Sequence, residues 1–285
     1  MMDLVTELVR IAAFSDGPQG GNPAGVWTGA SLPGAEEMQR IAAEVGFSET
    51  AFAAPLQPGE LTRWRVRYFS PEAEVPFCGH ATIALGVALA HRFGAGDYAL
   101  SLSQSDIRVS GWQDEAGQWQ AALQSPPTRS QPASADLVRE ALALFGYGAA
   151  DLDPRIPPAL IHGGADHLLL ALNSRTALSA MHYELAQGRI LMRREGLVTI
   201  LLGYAAADRL FHTRNPFAYG GVYEDPATGA ATAAFAGYLR DLRWPHGGAI
   251  DIEQGEDMGM PSRLHAEIPA EPGSSVRVSG GARLM

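Results

Sequence analysis

The chain has 285 residues, 46% of them hydrophobic, and a formal net charge of −10. That length and apolar share support one large core or two medium ones, and the acidic balance without any Lys/Arg run argues against a general nucleic-acid role, which needs clustered cations on phosphate. One cysteine excludes an internal disulfide framework and a zinc site built on cysteines.

The N-terminal stretch "MMDLVTELVRIAAF" carries Asp3 and Glu7 and lacks a basic start followed by an apolar core, so no secretory leader is read. "ELVRIAAFS" (7–15) predicts a strand and "DGPQGGNPAG" (16–25) a tight Gly/Pro loop. "SLPGAEEMQRIAAEVG" (31–46) predicts a helix that starts at Ser31 or Pro33, with Met38, Ile41, Ala42 and Val45 on one face and Gly46 past its end. "FSETAF" (47–52) and "RWRVRYF" (63–69) read as strands. "HATIALGVALAHRF" (80–93) is apolar on nearly every side, which describes a buried helix. The Pro-rich "AALQSPPTRSQPASA" (121–135) marks a crossover, so two domains are expected, 1–125 and 126–273. Beyond it, "SADLVREALALFG" (134–146) predicts an N-capped helix and "HLLLAL" (167–172) a strand, followed by a helix near 181–194 and a strand at 197–204. The longest mostly apolar stretch, near 196–207, is too short to span a bilayer. "GAATAAFAGYLRDL" (229–242) is a second helix of small apolar residues. "SSVRVSGGARLM" (274–285) predicts a last strand with a Gly-Gly break, which could return to the first domain.

One phrase occurs twice. "VPFCGHATIA" (75–84) laid over "DPATGAATAA" (225–234) matches at five of ten positions, Gly79 over Gly229 and Thr82 over Thr232 among them. Each copy opens an apolar helix, one in each half, as two like domains would. A glycine just ahead of a helix lets a ligand approach the backbone. The first N–H groups of that helix have no internal partners and lie at its positive pole. Such ends can hold a carboxylate without any Arg or Lys. The plainer alternative is that Gly79 and Gly229 serve packing alone.

"GNPAGV" (21–26), "GFSETAF" (46–52), "RYFSPEAEVPFCGHAT" (67–82), "YEDPATGAA" (223–231) and "EQGEDMGMPS" (253–262), in this order, resemble the PhzF-like family of isomerases. The resemblance implies an α+β, diaminopimelate-epimerase-like fold: two pseudo-symmetric domains, each a curved sheet wrapped around a central helix, with the active site between them. The segments 80–93 and 229–242 would be the central helices. The wider fold includes racemases with one cysteine per domain. Here Cys78 takes the first of those places and Thr228 the second, and a threonine hydroxyl titrates far too high to exchange protons as a thiol does. Cys78 then reads as a packing residue, since buried cysteines are commonly inert.

By motif, the resemblance makes Glu49 the catalytic acid/base, with His80 and Asp225 as catalytic partners and Ser48, Gly79, Gly229 and Ala230 around the substrate. The residues agree in kind. A Glu sharing a strand face with Phe47 and Ala51 would have its neutral form favoured, which raises its pKa toward working pH; a surface Glu on an edge strand is the alternative. His80 and Asp225 could equally be ordinary helix caps. Two departures stand out: many members carry Ser where Ala230 stands, and Arg is common where Met260 stands. Both point to a changed substrate more than to a changed fold.

The reading is a cofactor-independent, cytoplasmic isomerase that moves a proton and a double bond on a small anionic carboxylate, with no nucleic-acid or membrane partner. The remaining histidines lack metal-ligand spacing, so no metal is expected. Homodimers are common in the family, which leaves a homodimer open here. Two other readings remain, an amino-acid-type racemase or epimerase and a small-molecule-binding or interaction protein with a vestigial site.

Overall fold

The computed structural model describes residues 4–103 and 105–285. The chain divides into two compact units, Met1–Gln124 with Ser279–Met285, and Ser125–Val278.

The first unit contains β1 (Glu7–Ala13), β2 (Asn22–Thr28), α1 (Ala35–Val45), β3 (Thr50–Pro55), β4 (Arg63–Phe69), β5 (Glu74–Val75), α2 (Gly79–Phe93), β6 (Gly96–Ser101), β7 (Asp106–Gln113) and β8 (Trp119–Gln124). β1 and β2 are antiparallel, β2 and β3 parallel across α1, and β3 and β4 antiparallel. β4 pairs antiparallel with β5 and parallel with β6, and β6–β7–β8 run antiparallel. α2 packs against β1, β2, β3, β7 and β8. The sheet thus wraps the helix, and residues Gly79 to Ala90 are all buried. Being apolar on every side is what lets a helix sit there. Two glycines let sheet and helix touch: a Cβ on Gly111 of β7 would lie 2.2 Å from the carbonyl oxygen of Gly86. α1 lies elsewhere, packing Met38 and Ala42 with Trp27, Phe52 and Phe69.

The second unit contains β9 (Arg129–Pro132), α3 (Ala135–Phe145), β10 (Ala159–His162), β11 (Asp166–Leu172), α4 (Arg175–Ser179), α5 (Leu185–Glu195), β12 (Thr199–Ala207), β13 (Leu210–Phe217), β14 (Val222–Asp225), α6 (Gly229–Asp241), β15 (Ala249–Gln254) and β16 (Ser262–Glu267). β10 and β11 are antiparallel, β11 and β12 parallel, β12 and β13 antiparallel. β13 pairs antiparallel with β14 and parallel with β15, and β15 and β16 are antiparallel. This is the succession and sense of β1 to β7 over again. α6 packs against β9, β10, β11, β15 and β16, and Gly229 to Arg240 are buried. The opposite face of β11 and β12 supplies Leu168, Leu170, Leu172, Ile200 and Leu202 to a core with α3 and α5. Period-2 alternation therefore turns His167, Leu169 and Ala171 toward the other side.

The last strand, β17 (Arg277–Leu284), pairs with both β1 and β8. Its order with β1, β2, β3, β4, β6, β7 and β8 returns to its starting point, which removes free sheet edges.

Several elements differ from expectation. β2 begins at Asn22, inside the span expected to be loop. α1 begins at Ala35, after Gly34, whose backbone is extended, while Gly46 ends it in the left-handed region as expected. The strand placed at 47–52 starts at Thr50, leaving Glu49 just ahead of it. The helix placed near 181–194 starts at Leu185. β17 runs through Gly280–Gly281 without a break. There the bare glycine admits neighbouring backbone: Ser15 N–H donates to Gly281 O at 3.0 Å, and a Cβ on Gly281 would lie 3.2 Å from Ser15 O.

Candidate functional site

α2 begins at Gly79 with Cys78 as its cap residue in extended conformation, and no side chain caps this end. The first helical amide to bond is that of Thr82, to Cys78 O at 3.0 Å. The preceding amides of Gly79, His80 and Ala81 lie at the positive pole. Thr82 is itself held, its hydroxyl donating to Cys78 O at 2.7 Å and paired with the Tyr68 hydroxyl at 2.7 Å.

Four side chains converge at this helix end. Glu49 and His80 are 5% and 4% exposed, and Glu49 Oε2 lies 3.4 Å from His80 Nε2. Ser48 Oγ is 3.3 Å from the same nitrogen, and Cys78 Sγ is 3.4 Å from His80 Nδ1. Burial drives the Glu49 carboxyl above the usual carboxylate range; hydrogen bonds from Ser48 and Cys78 oppose this without overcoming it. Burial also depresses His80 to about 3. The imidazole is therefore neutral near pH 7, and the Glu49–His80 contact is not an ion pair of full charges. Glu49 Oε2 makes no hydrogen bond among the described residues. An acidic oxygen that is desolvated and lacks a donor has its neutral form favoured.

The second unit repeats the helix start with different chemistry. Thr228 is the cap residue of α6, again with no side-chain cap, and Thr232 N–H bonds Thr228 O at 3.0 Å. Gly229 and Ala230 occupy the first helical positions, both buried. Asp225, 5% exposed, closes β14 and accepts a hydrogen bond from the Thr228 hydroxyl at 2.6 Å. Thr228, which stands where Cys78 stands in the first unit, is thus committed to a carboxylate. Ala230 offers this helix end an amide and no hydroxyl.

Two features here are absent from the sequence reading. Gln254, 1% exposed, donates through Nε2 to Asp225 O at 2.6 Å and to Thr228 Oγ1 at 3.0 Å. Its Oε1 accepts from Thr228 N–H at 3.1 Å and from Thr213 Oγ1 at 3.4 Å. One side chain thereby clamps the whole Asp225–Thr228 turn. Its signal was present, since Gln254 lies in "EQGEDMGMPS", but the tether spans 26 to 29 residues. The other feature is a buried polar row on three neighbouring strands. His167 Nδ1 lies 2.8 Å from Thr199 Oγ1, which donates to Asn215 Oδ1 at 3.2 Å. Asn215 is the strand partner of Asp225. His167 Nε2 and Asn215 Nδ2 make no hydrogen bond among the described residues, and burial lowers His167 to about 3. Lone polar residues inside "HLLLAL" and "GLVTILL" carry no pattern that would single them out.

This chain matches the phenazine biosynthesis-like protein (PhzC-PhzF) family over residues 11–285. It belongs to that family. A trans-2,3-dihydro-3-hydroxyanthranilate isomerase from Pseudomonas aeruginosa is 32% identical, the alignment covering 95% of this chain and 94% of the relative. The crystal structure of a PhzF-family phenazine biosynthesis protein from Bacillus anthracis superposes with a TM-score of 0.82 at 23% identity, over 99% of this chain and 98% of that one. A hydroxyproline epimerase from Agrobacterium vitis shares the fold, with a TM-score of 0.65 at 10% identity over 98% and 90% of the two chains. The PhzF-family protein is an isomerase with the diaminopimelate-epimerase-like α+β fold. No helix among its described residues is long and apolar enough to cross a membrane.

Proposed function

We propose that this PhzF-family isomerase relocates a proton, and with it a double bond, on a small cyclic or unsaturated carboxylate. The reading is cofactor-independent, with Glu49 as the shuttle. The ionised Glu49 carboxylate takes a proton from an acidic C–H, and the released electron pair forms the new double bond. The carboxylic acid so formed then returns the same proton to the carbon at the far end of the shifted system, so no charge or atom is gained or lost. A carboxyl raised toward working pH serves both halves of this cycle. Neutral His80 supports it. Its Nε2 lies 3.4 Å from Glu49 Oε2, so in the Nε2-protonated tautomer the ring places a polar N–H beside the anion.

The observation that carries the reading is the buried Glu49 Oε2, without a hydrogen bond and 3.4 Å from a neutral imidazole at a helix start. The amides of Gly79, Gly229 and Ala230, and Ser48, are read as carboxylate contacts, and Asp225 as the holder of a polar substrate group. These roles rest on motif position. The 32% identical relative acts on a dihydro-hydroxyanthranilate, a cyclic unsaturated carboxylate, and Ala230 and Met260 suggest a different member of that class.

Glu49→Gln preserves size and removes the base. It should abolish turnover and suppress deuterium uptake when candidate carboxylates are incubated in heavy water. Wild-type turnover by this variant would end the proposal.

A further inference from the structure

The atoms around Glu49 form a second kind of constellation. A carboxylate oxygen, a thiol sulfur and an imidazole nitrogen, from Glu49, Cys78 and His80, all lie within 4.8 Å of one another. They come from the segment ahead of β3 and from the cap and second helical position of α2, and all three are buried. The chain's lone cysteine could not indicate this, since the ligands are 29 and 2 residues apart in sequence, outside any zinc-motif spacing.

We propose that Glu49, Cys78 and His80 form a three-ligand site for a thiophilic divalent cation, zinc in particular, and that its occupation blocks the isomerase. The geometry supports this ligand by ligand. Tetrahedral zinc with bonds of about 2.0–2.1 Å to N and O and about 2.3 Å to S separates N from O by about 3.4 Å and N from S by about 3.6 Å. His80 Nε2 lies 3.4 Å from Glu49 Oε2 and 3.9 Å from Cys78 Sγ. The nitrogen–sulfur separation has to shorten by only a few tenths of an ångström, and the carboxylate oxygen and the sulfur start within 4.8 Å of each other. Three protein ligands leave a fourth position for water or for a substrate carboxylate, the arrangement of an open rather than a structural site.

The proton count is simple. Neutral His80 binds without losing a proton, Cys78 releases its thiol proton on forming the Zn–S bond, and Glu49 releases one if it is protonated. No electrons move. Binding therefore strengthens as pH rises. Inhibition follows because the lone pair that would accept the substrate proton is given to the metal. The inhibition rests on the Glu49 reading above; the binding does not, so the two are measured separately.

The test titrates zinc into the full-length protein by calorimetry, and cobalt(II) as a spectroscopic substitute. One equivalent should bind, and cobalt should produce a thiolate-to-metal charge-transfer band in the near ultraviolet. Cys78→Ala should remove that band and weaken zinc binding at least tenfold. His212→Ala should leave both unchanged, although His212, Glu253 and Glu256 form the other cluster of potential ligands among the described residues. Because Cys78→Ala also removes a buried side chain beside His80, the wild-type cobalt spectrum stands as an independent readout. No binding, binding without the thiolate band, or binding lost in His212→Ala and kept in Cys78→Ala would each overturn the site. Zinc bound with the thiolate band and turnover unaffected would overturn the inhibition, and with it the role given to Glu49.

Discussion

Replacing Gln254 tests whether one buried amide holds the Asp225–Thr228 turn in place. Its four hydrogen bonds run to the Asp225 carbonyl, the Thr228 amide and the hydroxyls of Thr228 and Thr213. Gln254→Ala leaves the two hydroxyls able to turn elsewhere, and Thr228 Oγ1 already donates to Asp225 Oδ2. The backbone groups cannot move so freely. An orphaned buried backbone group costs about 1–3 kcal/mol, so with partial relaxation the expected loss is about 2–4 kcal/mol. Urea unfolding followed by fluorescence would read this as a lower midpoint at unchanged slope. Gln254→Glu sharpens the test. A carboxylate oxygen would replace the amide nitrogen 2.6 Å from Asp225 O, a contact tolerable only when the new carboxyl is protonated and donates. Its folded-state pKa would therefore be raised, the folded state would bind the extra proton, and stability relative to wild type would fall as pH climbs past about 4.3. A loss under about 0.5 kcal/mol in Gln254→Ala, or a pH-independent deficit in Gln254→Glu, would refute the clamp.

Three other outcomes are expected. Cys78→Ala removes a hydrogen bond that lowers the Glu49 pKa, so the acidic limb of kcat/KM should move to higher pH; loss of activity at every pH would instead favour a two-base racemisation through Glu49 and Cys78. His80 and His167 are both held near about 3 by burial. Below about 6.5 the unfolded chain binds protons that the folded chain refuses, so stability should fall as pH drops from there toward 3. His167→Gln should flatten that decline in acid-unfolding curves, and an unchanged slope would count against a buried neutral His167. Arg214 and Glu224 form a buried bidentate pair, with nitrogen–oxygen distances of 2.8 and 2.6 Å; Arg214→Met should cost about 3–5 kcal/mol in thermal or urea unfolding because it strands the carboxylate.

The two central helices were legible in the sequence because being apolar all round has one stable outcome, enclosure. The amphipathic helices α1 and α3 were legible through their one-sided faces and, at their ends, Gly46 and Ser134. The family was legible too, in five motifs spread along the chain. Strands such as β6, β7, β15 and β16 were not singled out: β6–β7 and β15–β16 are hairpins, but what fixes β6 and β15 in their sheets is parallel pairing with β4 and β13, which lie far upstream. The same limit moved Glu49. The pattern of "FSETAF" placed it on a strand face, whereas the structure leaves it just ahead of β3, where burial beside α2, not alternation, sets its pKa. Cys78 and His80 sit two residues apart, but their meeting with Ser48 and Glu49 required the first sheet to fold around α2.

Local chemistry by itself thus determined which segments become buried helices, where some of them start and stop, and which motifs the family shares, because periodicity, capping and turn preference act over a few neighbouring residues. Tertiary structure alone decided which polar groups lose water and what they then face: the lone oxygen of Glu49, the neutral ring of His80, the clamp of Gln254. Desolvation and hydrogen-bond geometry depend on atoms brought together from distant parts of the chain, and no local pattern records them.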